Sequence, residues 1–390
     1  MSVSQIVRNI WRFWPLLKSP PRVDILILFP DTAEQIRSYF PQSTCWVWDP
    51  TSNHRYVRIL IRLLLVSRFS RADYIAEVIN QTGAKLVISA IDNYVPIFQI
   101  GQGRVASKIV LLQNGIRTPE NDLEQLLDCI DLQEFIGTYM AFTRPISDRL
   151  QQRVSGTFIT IGSFRSNHVK IANCESRFSY ISTYNPEVPW SKVVGVHPRN
   201  GLVTYRQVLS FRLAVLQRLV HFSQQLGIKL TILGKREPPE SNQEEMFYYR
   251  NLPKNSFTFL PRLTLETHYR NCDRSRLVCS TSSSLGYESL GRGVRTAMFY
   301  GDSTLLGNST LRFGWPANIA SEGSFWSSNP DTQRVDAILN HLWYLDDEAW
   351  HQERLSASLA FPHYDEGNVR FCEELREFGA RSPLSPRSAI

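Results

Sequence analysis

Apolar residues in this chain fall into short blocks, and longer stretches of mixed polarity separate them. From Val23 the blocks are VDILILF (23–29), CWVW (45–48), KLVISAID (85–92), KIVLLQN (108–114), TYMAF (138–142) and TFITIG (157–162). Brief runs rich in β-branched residues and bounded by turn residues predict strands of a parallel sheet buried on both faces. Between them Val57–Phe69, Ala72–Gln81, Leu123–Leu132 and Ile146–Arg153 predict helices. A second series follows: SYIST (179–183), KVVGVHP (192–198), IKLTILG (228–234), SFTFLP (256–261), RLVCST (276–281) and RTAMFYG (295–301). Before Gly227, Leu209, Leu213, Leu216 and Val220 recur at helical spacing on one face, and Gly227 stands where the helix should stop.

Strands alternating with helices imply an α/β fold with crossover connections. The pattern predicts a basic, aromatic leader (1–22), an α/β domain over 23–172 and a second over 173–330. Closing helices over 331–378 and a disordered tail over 379–390 follow. Two Rossmann-like domains facing across a cleft, with ligands at the strand C-termini, make the glycosyltransferase B architecture.

Composition narrows the class. The chain has 390 residues, 43 Lys and Arg against 36 Asp and Glu, and a formal charge of +7. That charge is too diffuse to imply nucleic acid. The 43% apolar content rules out wholesale disorder. Six cysteines without a CxxC fit neither a zinc cage nor a disulfide scaffold and suit a reducing compartment. The start shows no signal peptide, because Arg8 and Arg12 interrupt its apolar stretch. A cytoplasmic protein is expected. The leader carries Arg8, Arg12, Lys18 and Arg22 among Trp11, Phe13 and Trp14 with no acid, and residues 55–71 carry five arginines with no acid. These segments suit peripheral contact with an anionic membrane, at its inner face, although a solvated basic face has the same composition.

The most informative string is VCSTSSSLGYESLGRG (278–293). A strand runs into hydroxyls and then a helix, so Ser282, Ser283 and Ser284 with helix amides form an anion site suited to phosphate. Gly286 allows a ligand or neighbouring chain to approach closely. Glu288 belongs to no capping box, because Leu285 stands three residues before it. His197, Pro198 and Arg199 follow an apolar run, which predicts that they leave a strand end beside the same site, where His197, as a catalytic group, and Arg199 would bind phosphate or stabilise it as it leaves; a structural turn fits them too. In the first domain IDNY (91–94), QNGIR (113–117) and GSFRSN (162–167) each follow a strand. Asp92 is placed to act as general base, or equally as a helix N-cap. Asn93, Asn114, Arg117, Ser163 and Asn167 are placed to contact an acceptor or a sugar, although Asn-Gly is also a turn signal. GxxxxGK[ST], HExxH, GxSxG and DxD are absent, so no cofactor and no metal is expected.

In order, QNGIR, TIGSFRSN, ISTYN, the serine string with LGYESLGRG, EGSFWSSNPD and YDEGNVRF resemble a family of bacterial surface-carbohydrate biosynthesis proteins. A His-Pro pair followed by a serine cluster with Glu is also similar to B-fold transferases that use CMP-activated sugars, the sialyl- and 3-deoxy-octulosonyl-transferases. The resemblance implies a metal-independent glycosyltransferase that moves sugar from a nucleotide-sugar donor to a carbohydrate or lipid-linked acceptor of a surface polysaccharide. It would give nucleotide binding to His197, Pro198 and Ser282–Ser284, with Glu288 near the nucleotide. The acidic Asp/Glu-Gly element that supplies the base in those enzymes is missing; only Asp92-Asn93 stands in its place. A polyol-phosphate transferase with a CDP donor, a nucleotide-sugar epimerase and a non-catalytic binding subunit use the same parts.

Overall fold

The computed structural model describes residues 19–52, 56–65, 70–100, 103–117, 135, 137–235 and 240–384. Most of the leader, the helix expected at Leu123–Leu132 and the last six residues lie outside them. The chain divides into two compact units: 1–114, 120–168 and 367–390 form the first, and 115–119 with 169–366 the second.

The first unit is a six-stranded, wholly parallel sheet in the order β2-β1-β3-β4-β5-β6. Its strands are β1 (Ile25–Leu28), β2 (Cys45–Trp48), β3 (Leu86–Ser89), β4 (Lys108–Leu112), β5 (Thr138–Ala141) and β6 (Thr157–Thr160). Every residue of β1, β3 and β5 is buried. That is why they read as unbroken apolar runs rather than alternating ones. Helix Arg71–Thr82 starts at a Ser70–Asp73 capping box and stops at Gly83, whose φ of 63° a side chain would strain.

The second unit holds a seven-stranded sheet in the order β11-β10-β7-β12-β13-β15-β14, and a separate two-stranded hairpin, β8-β9. The strands are β7 (Arg177–Ile181), β8 (Val193–His197), β9 (Gly201–Thr204), β10 (Leu230–Leu233), β11 (Phe257–Leu260), β12 (Ser275–Ser280), β13 (Thr296–Phe299), β14 (Glu322–Gly323) and β15 (Trp326–Ser327). All pairings in the large sheet are parallel except β14 with β15. Helix Tyr205–Gln225 buries Leu209, Leu216 and Val220, and Gly227 with φ 66° follows it.

Helices Thr332–Tyr344 and Asp347–Ser356 belong to the second unit, and the chain then returns to the first. There Phe371 and Leu375 enter the core beside Tyr39, Phe40 and Phe164. Asn368 Nδ2 donates to Tyr39 Oη at 2.7 Å and to the Phe164 carbonyl at 2.9 Å. The expected disordered tail starts as packed chain: Ala380 is buried and the Arg381 amide bonds the Tyr39 carbonyl. No helix among the described residues is long and apolar enough to cross a membrane.

Candidate functional site

In the second sheet the chain passes from β7 to β10 on one side and to β12 on the other. The strand order therefore reverses between β7 and β12, and ligands of open α/β sheets gather outside the C-terminal ends at such a point. Thr183 follows β7 there, and Thr281, Ser282 and Ser283 follow β12. The Thr183 and Thr281 hydroxyls lie 3.2 Å apart. Ser283 caps helix Ser284–Gly291, its Oγ accepting from the Leu285 amide. Ser282 has φ 124°, a conformation that costs a non-glycine residue about 1–3 kcal/mol and recurs at functional sites.

A cation completes this group. Arg212, on helix Tyr205–Gln225, donates to the Thr183 carbonyl at 3.3 Å and to Ser282 Oγ at 3.4 Å, so it spans the two strand ends. Its buried Nε has no hydrogen-bond partner among the described residues. An unmet buried donor is uncommon and needs a reason. Burial raises the pKa of the Asp302 carboxyl, and the charge of Arg212 partly offsets the rise. Arginine, hydroxyls and a helix N-terminus are groups able to hold a phosphate. A crevice lined by Thr183, Tyr184, Arg212 and Tyr248 adjoins them. Tyr184 also lines an open groove of about 700 Å³, together with Glu244, Met246, Phe247 and Arg250. Tyr184 and Tyr248 stack at 4.3 Å between ring centres.

The serines follow β12 at this reversal, whereas several residues expected beside them lie elsewhere. His197, Pro198 and Arg199 do not leave an edge of the large sheet. β8 pairs antiparallel with β9 instead, and the Pro198–Asn200 turn lies at the hairpin tip. His197 Nδ1 accepts the amides of Arg199 and Asn200 at 3.0 Å, which holds the turn. The ring faces Gly307, where a Cβ would come within 3.1 Å of Nε2. Gly286 is required by packing, since a Cβ there would meet the Ser280 side chain at 2.6 Å. Glu288 is buried and accepts from Tyr269 Oη at 2.9 Å, so removing it would disturb the fold as well as any ligand.

In the first unit Asp92 is 1% exposed. Its carboxylate accepts the Asn114 amide at 3.1 Å and the Tyr139 hydroxyl. It ties the segments after β3 and β4 to Tyr139 of β5, which gives it a supporting role in this structure. Ser163 caps helix Phe164–Asn167, and Asn167 Nδ2 donates to the Ile161 carbonyl at 2.8 Å; both are buried and support the local fold. Asn93 is exposed and Asn114 half-buried. Arg117 is buried and belongs to the second unit, where the Ile116 amide donates to Ser284 Oγ at 3.0 Å. QNGIR and the serine string, 168 positions apart, therefore meet.

Two polar residues escaped the sequence reading. Arg212 falls between Leu209 and Leu216 on the apolar stripe of its helix, and a cation at that spacing was the available signal. Asp31 follows β1 beside the first sheet's own reversal, between β1 and β3, and is exposed. Its neighbours Phe29 and Thr32 hold φ of 71° and 68°.

Two parallel Rossmann-like sheets with C-terminal helices define a glycosyltransferase B-type fold. Residues 110–378 match the model of a family described as "putative O-antigen biosynthesis protein", and the chain belongs to that family. Among solved structures it is similar to a "putative UDP-N-acetylglucosamine 2-epimerase from Listeria monocytogenes", at 12% identity and a TM-score of 0.51, over 93% of this chain and 98% of that one. The S. aureus MnaA–UDP co-structure is similar at 11% identity and a TM-score of 0.50, over 91% and 96%. The wall teichoic acid polymerase TagF aligns at 10% identity with a TM-score of 0.46, over 97% and 95%. At these identities the likeness is one of fold. No curated protein matches the chain.

Proposed function

We propose that the protein is a glycosyltransferase of O-antigen assembly, which moves a sugar from a nucleotide-sugar donor to a lipid-linked saccharide at the inner face of the membrane. The observation that carries this reading is Arg212 spanning the β7 and β12 ends beside the serine-capped helix. A donor phosphate there would complete the guanidinium's hydrogen bonds. The same groups would stabilise the charge that develops as the nucleotide leaves. The groove beyond Tyr184 has the size of a small-ligand pocket and room for the rest of the donor. The resemblance to CMP-sugar transferases makes a CMP-activated sugar the first donor to try, and a CDP-activated polyol phosphate the second.

With Asp92 buried, the base passes to Asp31, the exposed carboxylate at the reversal of the first sheet. In the transfer the acceptor hydroxyl would give up its proton to a base as its oxygen attacks the donor's anomeric carbon, while the nucleotide leaves with the bonding pair. The test is a transfer assay with saccharide acceptors and a panel of nucleotide sugars. Asp31→Asn should lower kcat by about 10²- to 10⁴-fold with a small change in donor KM. Conversion of a nucleotide sugar to its isomer without acceptor would identify an epimerase instead, and an Asp31→Asn enzyme as fast as the parent would put the base elsewhere.

A further inference from the structure

Helix Val57–Leu65, in the first unit, is apolar on its outward side as well as its inward one. Ile59 and Leu63 point inward and are buried. The outward side should be polar, yet Ile61, Leu64 and Leu65 are 53%, 62% and 80% exposed. At 100° per residue these three cluster opposite Ile59 and Leu63, and Arg58 and Arg62 flank them on one side. Both arginines are exposed. Arg62 also reaches Glu77 at 2.7 Å, with 68% of its side chain still open to solvent.

We infer that this face docks on an anionic lipid bilayer, the helix lying in the plane of the interface. Three large aliphatic side chains in water cost free energy that burial among acyl chains recovers, and Arg58 and Arg62 can keep their heads among lipid phosphates. Charge decides between this occupant and two others. A second copy docking through the same face would bring a second pair of arginines and, from this helix, no carboxylate to meet them. Residues 1–18 of the chain carry Arg8, Arg12 and Lys18 and no acid, so they too would meet like charge. A bilayer containing anionic lipid supplies both the apolar layer and the opposite charge. This inference is independent of the nucleotide reading.

The test is flotation of the full chain with vesicles of phosphatidylcholine alone or mixed with phosphatidylglycerol. The parent should float with the anionic vesicles and lose binding as salt is raised. Ile61→Ser/Leu64→Ser/Leu65→Ser should partition at least roughly tenfold less, and Arg58→Gln about fivefold less. Both variants should melt as the parent does, because the changed side chains face outward; should the triple variant not fold, Arg58→Gln decides alone. Equal binding to neutral and anionic vesicles, or binding of the variants equal to the parent's, overturns the inference. So does anchoring that survives the helix changes and disappears on deletion of residues 1–18. A shift from dimer to monomer in the triple variant, with flotation unchanged, would make the face an interface between copies.

Discussion

His268 shows how burial sets the chemistry of a single residue. It is 5% exposed on helix Leu265–Asp273. Burial, aided by the charge of Arg262 and opposed by a hydrogen bond with the Gly234 backbone, lowers its pKa from 6.5 to about 4. The native ring stays neutral where the unfolded ring takes up a proton. Its contribution to stability is therefore complete above pH 6.5 and is lost as pH falls from 6.5 towards 4. By linkage it amounts to about 3 kcal/mol. Urea unfolding at pH 7 and pH 4.5 should show a smaller difference for His268→Phe than for the parent; equal differences would mean that His268 titrates alike in both states. The same reasoning separates the carboxylates. Asp92 and Glu288 are buried among hydrogen bonds that use them, whereas Asp31 is open to solvent. A sequence gives residue type and place on a strand, but not which acids the fold covers.

Among elements, one joint is an ion pair with both side chains fully buried. Arg292, just past helix Ser284–Gly291, donates from Nε and Nη2 to the two oxygens of Asp273 at 2.7 and 2.6 Å. Its Nη1 reaches the Val169 carbonyl at 2.9 Å, and the rings of Tyr269 and Tyr364 cover the guanidinium. Asp273→Ala would strand a cation in the core, and should cost about 3–5 kcal/mol in chemical unfolding; a loss under about 1 kcal/mol, the range of exposed pairs, would show that water reaches the site. The buried parallel strands were legible because an apolar run between turn signals has few other uses. The same rule found the KVVGVHP strand but placed it in the large sheet, whereas it pairs in a separate hairpin. Val193, Val196 and Leu202 make an exposed hairpin, and periodicity does not tell an exposed apolar run from a buried one. The Asn200-Gly201 step, with Gly201 at φ 79°, was the overlooked turn signal.

For the whole molecule, two α/β series were readable from strand and helix periods, and the serine cluster from its place after a strand. The rest of the site was not, because the fold assembles it from distant segments. Arg212 comes from a helix 70 positions before Ser282, and Ile116 from a segment 168 positions before Ser284. The central claim is that these segments make one phosphate receptor at the β7–β12 reversal. It is tested most directly by calorimetric titration of CMP, CDP and UDP into the parent and Arg212→Gln. The parent should bind at least one of them, and the variant should bind it roughly 10- to 100-fold more weakly with an unchanged melting temperature in the absence of nucleotide. A variant that binds every nucleotide as the parent does would contradict the account.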